Sequence, residues 1–195
     1  KTYNGVAILY RGGASDITRD IPGFPDEQKR VVALTLGETR IVSAYMPNGQ
    51  EVGSDKYAYK LAWFAALAAW LGEELVRWPR LALLGDFNVA PEDRDVHDPA
   101  AWRERILCST PEREAFRRLL ALGLADAFRL FEQPERSFSW WDYRAMGFRR
   151  NQGLRIDHIL LSTALAAGCR ACIIDKAPRR LERPSDHAPV IAELP

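Results

Sequence analysis

The chain has 195 residues, of which 47% are hydrophobic and 27% charged, an ordinary make-up for a globular domain. At roughly 150 residues per domain, this length predicts a single domain, and the apolar content excludes disorder as the main state. The longest apolar run, Leu61–Leu71, is well short of the roughly 20 residues a membrane span requires, so no membrane partner is expected.

Net charge is +1, from 27 basic and 26 acidic residues, which alone points to no polyanionic partner. The charge is uneven along the chain. Residues 1–100 hold 11 Lys/Arg and 14 Asp/Glu, and residues 101–195 hold 16 and 12. Arg outnumbers Lys by 22 to 5. Arg grips phosphate in a bidentate manner, although a GC-rich genome also raises Arg. Three cysteines, Cys108, Cys169 and Cys172, are too few and odd in number for a disulfide framework, and they predict a reducing compartment. Cys169 and Cys172 have CxxC spacing but no second pair to complete a zinc site, so a structural role is expected.

The first residue is Lys1, and no targeting signal follows it. Lys1–Gly5 leads directly into a strand pattern, which reads as an interior segment of a longer protein. Gly5–Tyr10 is a short apolar run and predicts a buried strand. Val31–Leu36 and Arg40–Tyr45, separated by Gly37-Glu38, predict a hairpin. Ser54 or Asp55 caps a helix predicted to run to about Val76, with Leu61, Phe64, Leu67, Leu71 and Leu75 at helical spacing and Pro79 just beyond.

Leu81–Leu84 has the all-apolar pattern of a strand buried on both faces. Val89–Cys108 reads as a polar, Pro-bearing loop that carries one helical turn. Thr110-Pro111, with Glu112 and Glu114 in the first turn, opens a second helix that Gly123 closes. Glu132–Asn151 reads as irregular, and Arg155–Ser162, Arg170–Asp175 and His187–Glu193 as three more strands. Hairpins among mixed strands and helices predict an α/β sandwich with mixed sheets rather than a parallel doubly wound one.

The informative residues are the polar ones that break apolar strands. In Gly85-Asp86-Phe87-Asn88, a carboxylate and an amide share one face at a strand end, where they could hold a hard cation or simply cap a turn. Asp157, inside Arg155-Ile-Asp-His-Ile-Leu160, needs a partner for its half-buried charge. Arg155 is one candidate. His187 is the other, since Pro184-Ser-Asp-His-Ala-Pro-Val190 starts the last strand with an Asp186–His187 pair and imidazole is the natural base near neutral pH. In Tyr45-Met-Pro-Asn48-Gly49, Pro47 stops a strand and leaves Tyr45 and Asn48 at its edge, able to donate to a phosphate.

Taken in order, Tyr45–Gly49, Gly85–Asn88, Arg155–Leu160 and Ser185–Val190 resemble the exonuclease III family of abasic-site endonucleases, in the endonuclease/exonuclease/phosphatase superfamily. Tyr3–Ala7, Ala90–His97 and Phe138–Arg144 also resemble it, so the likeness runs over essentially the whole chain. The resemblance implies a four-layer α/β sandwich with two mixed β-sheets flanked by helices. It implies hydrolysis of DNA 5′ to abasic sites and trimming of 3′ ends, with Mg2+ or Mn2+ as cofactor. The implied partner is double-stranded DNA, met in the cytoplasm by a monomer.

By the same resemblance, Asp86 activates the attacking water or handles the leaving-group proton, and Asn88 orients the water. His187 contacts the scissile phosphate and is the rival candidate for the base. Asp157 holds the His187 ring. Tyr45 and Asn48 donate to the phosphate. Asp86, Asn88 and Asp186 form the metal side. Phe138–Arg150, rich in aromatics and Arg, fits a DNA-facing loop, with at least two aromatics expected in the core and Trp140 and Arg144 as substrate contacts. The family's N-terminal segment, which carries two strands, a helix and a metal-binding Glu, has no match here. An incomplete domain is therefore expected, completed by an N-terminal segment of the same protein. Rival readings are another phosphoesterase of the superfamily, acting on inositol phosphates or phospholipid head groups, and an inactive DNA-binding fragment.

Overall fold

The hairpin predicted around Gly37 forms the centre of the molecule. Strands β2 (Val31–Leu36) and β3 (Thr39–Tyr45) pair antiparallel, and Gly37 takes the left-handed turn conformation at φ 58°. The structure is a computed structural model that describes residues 4–195, so Tyr3 lies outside it. Pro47 ends the strand run. The chain then crosses through helix α1 (Asp55–Arg77), whose N-cap Ser54 accepts from the Tyr57 amide, and returns as β4 (Leu81–Asp86), parallel to β3.

A polar stretch follows, with a short helix α2 (Pro99–Trp102). Helix α3 (Thr110–Ala121) opens with Pro111 in its first turn and a capping box between Ser109 and Glu112. Strand β5 (Leu124–Asp126) comes next, then β6 (Trp140–Trp141), β7 (Gly153–Leu154), β8 (Asp157–Ser162), helix α4 (Thr163–Ala166), β9 (Ala171–Ile174) and β10 (Val190–Glu193). With β1 (Ser15–Arg19), these build a six-stranded mixed sheet in the order β1-β2-β3-β4-β8-β5.

Strand alternation distributes the apolar side chains over both faces of this sheet. Val42, Ala44, Leu81, Leu83 and Leu160 meet Trp63, Phe64, Leu67 and Leu71 of α1 and Phe116 and Leu119 of α3 in one core. Ala82 and Leu161 point the other way, into a core with Cys172, Phe128 and Leu165 that Val190 and Ile174 also join. Helices, main sheet and the antiparallel β9–β10 ribbon are thus stacked. A second antiparallel ribbon, β6–β7, is tied to the chain before β10 by the Trp140–His187 bridge and by hydrogen bonds from the Trp141 amide to Asp186 O and from the Ala188 amide to Ser139 O. Among the described residues these two ribbons stand where the resemblance implied a second mixed sheet.

Two expectations need correction: the strand read as His187–Glu193 begins only at Val190, because His187 is drawn into an isolated bridge with Trp140, and the N-terminal apolar run differs too. Gly5–Tyr10 is not a buried strand. It pairs with no strand among the described residues, and Leu9 is 92% exposed. An apolar run becomes a strand only where a neighbour completes its ladder. Conversely, β1 is polar and largely exposed. As an edge strand it pairs on one side only and needs no apolar face. The three cysteines are all free, Cys108 and Cys172 buried, as a structural role implies.

Candidate active site

Three strands end at the same level. Tyr45 is the register partner of Asp86 across the parallel β3–β4 pair, and Asp86 is the partner of Asp157 across the antiparallel β4–β8 pair. The ladder therefore lines up a phenol and two carboxylates in one row. Asp157 extends the row. Its carboxylate oxygens lie 3.0 and 2.9 Å from His187 Nδ1. A carboxylate at Nδ1 fixes the proton on that nitrogen and leaves Nε2 without a protein partner among the described residues. The alternative partner, Arg155, goes elsewhere: it pairs with Asp95 and Asp126 in a buried ion cluster.

The turn after β4 places Asn88. Asp86 Oδ1 accepts from the Asn88 amide at 2.8 Å, and Asn88 takes a left-handed φ of 49°, a conformation Asn tolerates. Asp86 and Asn88 thus cap the turn, one of the two readings the sequence left open. The Asn88 side chain donates to Met46 O at 3.0 Å and Asp86 Oδ2 at 3.1 Å, and its own Oδ1 accepts from Asn48 Nδ2 at 3.0 Å. Gly85 brings the backbones together. A Cβ there would sit 1.9 Å from Ala44 O, so only glycine allows β3 and β4 this close beside Asp86.

These surroundings separate the two titrating groups. Burial, then the facing charge of Asp157, pushes the Asp86 carboxyl up to about 7, against the pull of His187, the Asn88 amide and Lys60. Burial disfavours the charged His187 ring, but the Asp157 hydrogen bond and the charges of Asp157, Asp86 and Asp186 outweigh it and raise the ring to about 9. Near neutral pH the row thus holds a carboxyl that exchanges its proton readily and an imidazolium that can donate.

Hard oxygen donors, the chemistry that suits magnesium or manganese, come from Asp86 at the end of β4, from Asn88 in the turn after it, and from Asp186, which precedes His187. They are partly engaged. Asp86 accepts from Asn88, Asn88 Oδ1 accepts from Asn48, and Asp186 Oδ2 accepts from Trp140 Nε1 at 3.0 Å. Among the described residues, no three His, Cys, Asp or Glu side chains gather as a metal set. The donors fit such an ion in kind, though two carboxylates are few for it.

The sequence profile of the Endonuclease/Exonuclease/phosphatase family matches residues 1–187. Exodeoxyribonuclease III of Haemophilus influenzae is 37% identical over all of this chain and 78% of its own length. The chain belongs to the exonuclease III family of AP endonucleases. Solved structures of family members superimpose closely. The 3′ phosphatase NExo from Neisseria, bound to a product DNA hairpin, matches with TM-score 0.92 and 45% identity over 94% of this chain and 72% of that one. An AP endonuclease from Archaeoglobus fulgidus matches with TM-score 0.87 and 32% identity over 93% of this chain and 71% of that one.

Within this family member, the aromatic segment divides as its chemistry requires. Phe138 and Trp141 are fully buried, whereas Trp140 is half-buried. Trp140 lies in the bridge to His187, and its indole donates to Asp186. Arg144 is not joined to the row. It sits on an exposed turn in a bidentate pair with Asp142. Asn48 is exposed at the rim of a cavity of about 230 Å³ that Tyr45, Arg30 and Lys56 also line. A larger cavity, about 560 Å³, lies elsewhere, beside Arg94, His97 and Arg136.

Sequence reasoning missed two residues of the site's frame. Ser139 is fully buried. Its hydroxyl donates to Asp157 Oδ2 at 2.6 Å and accepts from the Ile156 and Asp157 amides. Nothing in a lone serine signals this. Lys60 could have been found, because it falls on the buried stripe of α1 with Phe64, Leu67 and Leu71, where a charge is out of pattern.

Proposed function

We propose that this chain hydrolyses phosphate esters of DNA, at abasic sites and at 3′ ends, as an exonuclease III-type repair nuclease. The observation that carries the reading is the row Asp86–Asp157–His187, with two carboxylates facing across strands and one of them holding an imidazole. Asp86, near its own neutral point, takes the proton of the attacking water. His187, held by Asp157, donates through Nε2 to a phosphate oxygen as negative charge grows there. Asn88 and Asn48 fix the approach of water and phosphate, and the Tyr45 hydroxyl is a further donor at the strand end. Trp140 and Arg144 are the proposed DNA contacts.

A magnesium or manganese ion belongs to this reading, held by Asp86, Asn88 and Asp186, and when bound it neutralises charge on the phosphate. We also propose that the layers belong to the four-layer sandwich of two mixed sheets implied by the family, with residues 1–195 as one domain that an N-terminal segment of the protein completes. No described helix is long and apolar enough to cross a membrane; a monomer acting on double-stranded DNA in the cytoplasm fits the reading. Processing of 3′ ends is supported by the 45% and 46% identity to structures described as a 3′ phosphatase and a 3′-5′ exonuclease.

The test offers the protein, with magnesium, three substrates: duplex DNA bearing one abasic site, a hairpin bearing a 3′-phosphate, and an inositol polyphosphate. Release from either DNA and none from the inositol substrate is expected. Turnover of the inositol substrate alone would overturn the reading, and DNA binding with no turnover would mark a binding fragment.

A further inference from the structure

A lysine on the apolar stripe of a helix needs an explanation, because its ammonium must spend three N–H groups inside the protein. Lys60 of α1 is 0% exposed. Its Nζ donates to Asn88 O at 2.7 Å, to Asn48 O at 3.1 Å, and to the Glu112 carboxylate. Two of the three bonds thus go to main-chain carbonyls of the two residues whose side-chain amides meet at the site. Neither Asn48 nor Asn88 lies in a strand, so no sheet ladder fixes either carbonyl.

The post itself is fixed. Glu112 Oε1 also accepts from the Leu107 amide, and its Oε2 accepts from the Ser109 amide and hydroxyl. The Ser109 hydroxyl lies 2.7 Å from the Tyr57 hydroxyl, one turn before Lys60 on α1. The lysine stem is fitted as closely. A Cβ on Gly49, the residue after Asn48, would lie 3.0 Å from Lys60 Cδ. A counter-ion for Glu112 alone would need none of these contacts with the two asparagine loops.

We propose that Lys60 is a positioning residue of this site, holding the loops of Asn48 and Asn88 in register so that their side-chain amides stay joined beside Asp86. The inference rests on the phosphodiesterase reading for its kinetic consequence, but not for its structural one.

The experiment uses Lys60→Met, which keeps the volume of the stem, and the pair Lys60→Met/Glu112→Gln, which removes the carboxylate that the first change leaves buried and unpaired. Thermal unfolding, steady-state cleavage of abasic-site duplex in magnesium, and 1H–15N signals of the Asn48 and Asn88 side-chain amides are measured for each. Lys60→Met is expected to lower Tm and the double variant to recover most of it. Both are expected to lose roughly 10–100-fold in kcat with KM changed by less than about threefold, as for displaced reacting groups. The two amide signals are expected to shift or broaden in the double variant. Recovery of kcat together with Tm, or unchanged amide signals, would show that Lys60 only stabilises the fold. Should the wild-type protein leave the DNA uncut, the phosphodiesterase reading fails, and the amide signals alone still decide the role of Lys60.

Discussion

Asp86 and Asp157 are direct cross-strand partners at the shared end of β4 and β8. Like charges placed opposite each other repel, and an arrangement that tolerates them must divide the protons between them or bring in positive charge. Here His187 serves Asp157, while Asp86 is left with a carboxyl raised to about 7. Asp157→Asn keeps the shape but removes the charge that holds the ring. The expected result is a kcat loss of about 10²-fold or more, with little change in DNA affinity, read by steady-state kinetics and fluorescence anisotropy.

Ser139 supports that ring from behind. Its hydroxyl accepts two backbone amides and donates to Asp157. Ser139→Ala leaves buried donors unsatisfied at Ile156 and Asp157. A loss of about 1–3 kcal/mol in unfolding free energy is expected from urea titration. An unchanged midpoint would mean that water replaces the hydroxyl.

Gly85→Ala tests the close approach that seats Asp86. Gly85 has φ 141°, and a methyl group would collide with Ala44 O. Backbone strain and displacement of β3 from β4 together should lower stability by at least about 1–3 kcal/mol. The pairing of Tyr45 with Asp86 should open as well, so kcat should fall more than stability alone explains, with activity measured well below Tm.

His158 contributes one part of the pH dependence of stability, opposite in sign to the parts from Asp86 and His187, whose raised values make them stabilise less as pH rises. Its Nε2 lies 3.0 Å from Val89 O and must donate, and its Nδ1 lies 2.9 Å from Arg155 Nη1 and must accept. Both ring nitrogens are thus committed to the neutral tautomer. Burial first, then the Arg155 charge, lowers its pKa to about 4. In the unfolded chain it titrates near 6.5, so between those values the unfolded state binds the extra proton. The His158 contribution is therefore full above about 6.5, shrinks as pH drops towards about 4, and changes by about 3 kcal/mol over that window. His158→Gln, which can still accept and donate but does not titrate, lacks this contribution, so its stability relative to wild type should rise from pH 7 to pH 4.5 in urea titrations.

Much of the frame was legible because its signals are local. Turn chemistry at Gly37, the Ser54 cap and the Pro111–Glu112 helix start fixed the hairpin and both long helices to within a residue or two. Asp86, Asp157 and His187 were legible for the same reason, since each is a polar residue next to an apolar run. What escaped depends on partners distant in sequence. β1 is a strand because β2 lies beside it, Gly5–Tyr10 is not one because no described neighbour pairs with it, and Ser139 matters only because Asp157 folds onto it. The Trp140–His187 bridge, which connects a region expected to be irregular to the last strand, is also non-local.

Asp86→Asn removes the proton acceptor from the Asp86–Asp157–His187 row while keeping its shape. Cleavage of a duplex with one abasic site is measured in magnesium, with affinity for the same duplex measured in parallel. The expected kcat is reduced about 10²–10³-fold, the scale for removing one group that acts in the transition state, with DNA affinity retained. Turnover close to wild type in this variant would show that the row does not carry out the chemistry.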